Sequence, residues 1–151
     1  VRAKVRIENF RLTGVLFLMI ITISCSQYTE TRQNTPSDLN DAKRVANIFH
    51  NYLKEKNYKL AYDLLISQDS VTFEKMINTV GRIKAHLGDF LKAKYVNGSS
   101  FVEEKGKLRT GHFEFEYKVF YQEGEAIEKI NLEYDDNSLK IRSFYVMQKS
   151  N

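Results

Sequence analysis

Apolar positions along this chain change their spacing twice, and each change marks a boundary. Residues 15–23 are a continuous apolar run broken only by Thr22, and residues 26–36 are polar. Further on, Ala42, Val45, Ile48, Phe49, Tyr52 and Leu53 recur three and four apart. That period predicts an amphipathic helix, with Ser37 or Asp38 as its N-cap. A short second helix is predicted over residues 58–66, with Tyr58, Ala61, Tyr62 and Leu65 on one face. A third helix follows Asp69 or Ser70 as cap. It carries Phe73, Met76, Ile77, Val80, Ile83 or Lys84, and Leu87, and Gly88 is its expected stop.

Beyond Gly88 the apolar period becomes two, as in a half-buried strand. Leu91, Ala93 and Tyr95 alternate with Lys92 and Lys94, and Asn97-Gly98-Ser99-Ser100 suggests a bulge or turn before Phe101-Val102. The clearest strand spans residues 112–121, where Phe113, Phe115, Tyr117, Val119 and Tyr121 share a face. Glu123-Gly124 is a turn signal. The next strand, residues 125–134, sets Ala126, Glu128, Ile130, Leu132 and Tyr134 on one side. After Asp135-Asp136-Asn137-Ser138, the last strand alternates Leu139, Ile141, Ser143, Tyr145 and Met147 with Lys140, Arg142, Phe144 and Val146. Helices followed by consecutive hairpins predict an α+β fold. The expected form is N-terminal helices packed on a curved antiparallel sheet of about four strands.

The N-terminal run bears on location. Arg2, Lys4, Arg6 and Arg11 precede it, and Ile23-Ser24-Cys25 closes it. The run is too short for a membrane span, which needs about 20 apolar residues. Basic start, apolar centre and small residue before a cysteine resemble the export signal of a bacterial lipoprotein. That resemblance implies cleavage after residue 24, lipid attachment at Cys25 and an extracytoplasmic, membrane-anchored protein of the cell envelope. Cys25 is the only cysteine, and a thioether would remove a thiol that export would otherwise oxidise. Residues 25–36 then read as lipidated cysteine and polar tether, and residues 37–151 as the folded domain.

Charge adds little once the signal is set aside. The chain has a formal net charge of +4, but residues 1–24 hold four of its 23 basic and only one of its 19 acidic side chains. The remainder is near neutral, which argues against nucleic acid as a partner.

The order of elements, the Leu87-Gly88 helix stop, the Tyr117-Lys118-Val119-Phe120 strand, Glu128-x-Ile130-x-Leu132 and the closing aromatic Tyr145 resemble the nuclear transport factor 2-like (cystatin-like) superfamily. Within it, the chain looks like small exported bacterial domains of unknown function. The superfamily hosts both enzymes and non-enzymatic modules, so the fold leaves the activity open.

Glu128 is the residue that strand alternation singles out, because a carboxylate facing an apolar layer needs a partner or a raised pKa. It is expected either at the mouth of a cavity lined by Tyr117, Tyr121, Tyr134 and Tyr145, or in a structural pair with Arg82, Lys84 or Lys92. The first arrangement could bind a small apolar ligand, or serve acid–base chemistry. His50, His86 and His112 lack metal-site spacing and read as surface or boundary residues. No motif for a metal or cofactor, phosphate loop or nucleophile elbow is found. The functional expectation is a non-enzymatic envelope lipoprotein binding a small apolar ligand or an envelope protein, with a homodimer through the sheet as one arrangement. The alternative is a small-molecule isomerase or dehydratase using the pocket carboxylate.

Overall fold

The structure, a computed structural model, describes residues 28–66 and 72–148. The export segment, Cys25, and the Asp69 and Ser70 caps lie outside the described residues.

The fold is α+β. Strand β1 (Thr29–Gln33) is followed by helices α1 (Pro36–Lys54), α2 (Tyr58–Asp63) and α3 (Phe73–Leu87). Strands β2 (Phe90–Lys105), β3 (Leu108–Tyr121), β4 (Gly124–Asp135) and β5 (Ser138–Gln148) complete an antiparallel sheet in the order β1-β2-β3-β4-β5. Pro36 opens α1, where its missing N–H has no role to lose and its fixed φ suits the first turn. Thr35 therefore stands at the cap, ahead of the expected Ser37 or Asp38. For α3 the cap is Thr72, whose hydroxyl accepts from the Lys75 N–H at 3.2 Å. Gly88 ends α3 at φ +79°, as its position predicts, since an L side chain rarely takes that conformation.

The core lies between the helices and one sheet face. Ala42, Ala46 and Phe49 of α1 meet Phe113, Phe115, Tyr117 and Val119 of β3 and Ile130 and Leu132 of β4, all buried. The period-two expectation for β3 and β4 holds residue by residue, through Tyr121 and Glu128.

Two expectations change. Among the described residues the sheet has five strands rather than about four, because residues 29–33 are not a free tether. Strand β1 pairs with β2 from Thr29↔Lys105 to Gln33↔Phe101. Its polar residues gave no apolar alternation to read. They are held instead by charge: Arg32 forks onto Asp38 of α1 (Nε–Oδ2 3.1 Å) and onto Glu104 of β2 (Nη1–Oε2 3.0 Å). Asn34 then closes the corner, its Oδ1 accepting from the Ser100 N–H at 2.8 Å.

The second change is in β5. Leu132 opposes Ile141, but Asn131 opposes Ser143, so Arg142 is an extra residue, a β-bulge. A one-residue slip exchanges the two faces of a strand. Phe144 and Val146 consequently turn toward the core, with the Phe144 ring 5.0 Å from that of Phe49. Tyr145 and Met147 turn outward. The bulge adjoins the place where residues 64–66 pair with β5, Ile141 N–H donating to the Leu64 carbonyl at 2.8 Å. In β2 the same device occurs at Leu91 and Val96, which are skipped in the pairing with β3 and lie exposed.

Candidate functional site

Glu128 sits mid-strand in β4, opposite Tyr117 of β3, and its side chain is 1% exposed. Its partner is His50, whose Nε2 lies 2.5 Å from Glu128 Oε2. Neither Arg82, Lys84 nor Lys92 fills that role. Lys84 bonds Asp89 at 2.8 Å, Lys92 lies over the Phe120 ring at 4.9 Å, and Arg82 is exposed on α3. The expectation that His50 is a surface or boundary residue is also corrected. His50 is buried on α1, one turn after Ala46 and one before Leu53. The sequence did carry that signal. Ala42, Ala46, Phe49, His50 and Leu53 define the face that meets the sheet, and Ile48 of the apolar stripe lies exposed outside it.

The imidazole is fixed on several sides. It stacks on Phe90 at 5.6 Å and meets the Tyr117 ring edge-on at 4.8 Å. His50 Nδ1 and the Tyr117 hydroxyl are both buried without a hydrogen-bond partner among the described residues. Burial, and then the neighbouring Glu128 charge, pushes the hydroxyls of Tyr117 and Tyr121 well above the usual tyrosine range. Both therefore remain protonated donors at any ordinary pH.

Beside this cluster a narrow cleft of about 30 Å³ reaches Glu128 between Leu53, Ile83, Phe90, Tyr121 and Phe144. Its mouth is ringed by Lys56, Lys84 and Asp89. The Asp89 carboxylate takes Lys56 and Lys84 at 2.8 Å each, and those two hydrogen bonds hold it below the usual carboxylate range.

Only part of the expected tyrosine lining is assembled. Tyr117 and Tyr121 flank Glu128. Tyr134 is at the other end of β4, its hydroxyl accepting from Arg109 at 3.3 Å and its ring 5.9 Å from Phe113. Tyr145 is 45% exposed, because the Arg142 bulge turns it to the outer face opposite Lys129. Among the described residues no three His, Cys, Asp or Glu side chains converge on a point where a metal ion could be held. His86 is exposed, and His112 is exposed beside Glu114 at 3.2 Å.

A second charged cluster joins β1, α1, β2 and β3. Glu104 receives Arg32 and Arg109, and these hydrogen bonds hold its carboxyl down at about 2. For Asp38, burial pushes the carboxyl up, but hydrogen bonds from Arg32 and Thr35 together outweigh it and leave it lowered. The residues are saturated by one another, so the cluster's chemistry is that of a clamp.

No protein-family model matches the chain, and no match to a curated protein reaches significance.

Proposed function

We propose that this chain is a non-enzymatic binding module of the bacterial cell envelope, anchored by lipid at Cys25 and built on a nuclear transport factor 2-like frame. The bulges in β2 and β5 support the curved sheet which that frame requires. The observation that carries the non-enzymatic reading is the pairing of Glu128 with His50 beneath a cleft of only about 30 Å³. That volume suits about one water molecule, whereas organic ligands occupy sites of roughly 300–1,000 Å³. Glu128 in this reading fixes α1 on the sheet, and binding belongs to the surface. A groove of about 420 Å³ between α3 and β5, with Ile83, Leu87, Phe144 and Val146 in its wall, is wide enough for side chains of a protein partner.

The test pairs fractionation with stability. Cys25→Ala should move the protein from the membrane to the soluble fraction. Glu128→Gln should lower the unfolding midpoint. A variant that stays membrane-bound and uncleaved would show a retained anchor instead of a lipidated cysteine.

The isomerase or dehydratase reading has its own observation. Tyr117 and His50 Nδ1 supply unused, buried polar atoms next to a carboxylate, the set an acid–base site needs. It requires the cleft to widen, and a raised midpoint for Glu128→Gln would favour it, because a carboxylate strained for function is relieved by neutralisation.

A further inference from the structure

The register of β1 fixes where the chain leaves the domain. Thr29 pairs with Lys105, so the N-terminal entry lies beside the β2–β3 turn, Lys105-Gly106-Lys107-Leu108. Cys25 is four residues before Thr29, a reach of roughly 14 Å at most. From Thr29 onward the strand is locked by its ladder and by Arg32 on Asp38 and Glu104. A lipid on Cys25 thus holds this end of the domain close to the bilayer, on a leash too short for free tumbling.

The same end carries exposed apolar side chains among the described residues. Leu108 is 58% exposed and Tyr28 is 77% exposed, with Lys105 and Lys107 exposed between them. Aromatic and aliphatic groups flanked by lysines suit a headgroup layer, where rings lie at the interface and lysine stems reach to water. The adjacent β4–β5 turn brings exposed Asp135 and Asp136 to this end, docked by the Arg109 N–H on Asn137 Oδ1 at 2.9 Å. Those two acids balance the two lysines, so the contact rests on the apolar points and the short leash and not on bilayer charge.

The cleft mouth is at the opposite end. Lys56, Gly88, Asp89 and Tyr121 border it, and Tyr121 closes β3, whose 14 residues begin at Leu108. At about 3.3 Å per residue the two ends are separated by roughly 40 Å. We propose that the β2–β3 turn, with Leu108 and Tyr28 as its apolar points, is the membrane-contacting end of the domain, so that the Glu128 cleft opens away from the bilayer. The proposal rests on lipid attachment at Cys25.

The lipidated full chain, reconstituted in phosphatidylcholine vesicles, provides the test. A thiol introduced by Leu108→Cys or by Glu123→Cys takes an environment-sensitive fluorophore, since the thioether at Cys25 blocks the native sulfur. Both sites are exposed, so the fold is retained. Nitroxide-labelled lipid should quench the probe at 108 several-fold more than the probe at 123. Adding anionic lipid should change the ratio little. Equal quenching at both positions, or stronger quenching at 123, would overturn the proposal while leaving the anchor intact. Protein that fails to float with vesicles would overturn the anchoring reading itself, and the orientation with it. If Leu108 instead docks on a protein or a second copy, the probe at 108 is shielded but escapes the lipid quencher, which also overturns it.

Discussion

His50 of α1 and Glu128 of β4 meet at 2.5 Å across the interface between helix and sheet, and both side chains are buried. This pair is a buried polar contact set among the apolar side chains of α1 and the sheet, apart from the Arg32–Asp38 clamp at the start of the helix. Its partner choice matters, because an imidazole, unlike the always-charged guanidinium of an arginine, does not oblige a buried positive charge. Removing the carboxylate therefore leaves an unmet hydrogen-bond group and no obligatory buried cation. Glu128→Ala should cost about 1–3 kcal/mol. Glu128→Gln should cost less, because the amide can still bond Nε2. Denaturant midpoints of the two variants at neutral pH check the order. Glu128→Gln more stable than the parent would contradict the structural role.

Tyr117 supports the pair with its ring and leaves its hydroxyl without a partner among the described residues. An unsatisfied buried hydroxyl carries a desolvation cost, so Tyr117→Phe should be neutral or stabilising by up to about 1–2 kcal/mol. Thermal unfolding of the variant measures it. A clear loss of stability would mean that the hydroxyl is bonded in solution, to water or to a ligand.

The charged clamp on β1 predicts a pH dependence. The Glu104 carboxyl is lowered from 4.5 to about 2 by Arg32 and Arg109. A group depressed on folding stabilises above its unfolded value and loses that contribution as pH falls through its folded value. The clamp is therefore complete above about pH 4.5 and is lost toward pH 2. Arg32→Ala should flatten the fall in unfolding midpoint across that window and lower the midpoint at neutral pH. Identical acid profiles for variant and parent would show that the clamp contributes nothing to folding. Removing residues 26–34 should likewise lower the melting temperature by several degrees, contrary to the behaviour of a free tether.

The Arg142 bulge gives a ranking opposite to simple alternation. Phe144 faces Phe49, while Tyr145 is on the outer surface. Phe144→Ala should cost about 3 kcal/mol, as large-to-small changes in a core do, and Tyr145→Ala about 0.5 kcal/mol. Equilibrium unfolding of both variants tests the register. The reverse order would place the β5 side chains as uninterrupted alternation predicts.

A steric prediction concerns Gly98, which faces Phe115 across the β2–β3 ladder. A Cβ there would stand 2.2 Å from Phe115 Cδ1 and 2.7 Å from the Glu114 carbonyl oxygen. Gly98→Ala should cost about 1–3 kcal/mol, whereas exposed Ser99→Ala should be nearly silent. Calorimetry of both variants checks the contrast.

The sequence by itself determined the helix-then-hairpin order, the inward faces of β3 and β4, the stop at Gly88 and the burial of Glu128. These depend on local periodicity and local conformation, which neighbouring residues encode. It also singled out Glu128, since a carboxylate in an apolar row is visible without coordinates. Tertiary structure decided the rest. Polar β1 has no readable period, and its strand exists because Arg32 finds acids 6 and 72 residues away. A bulge leaves no mark on composition, so Phe144 and Tyr145 exchanged faces unseen. The choice of His50 for Glu128 depended on how α1 lies across the sheet, a packing relationship spanning 78 residues that no local spacing records.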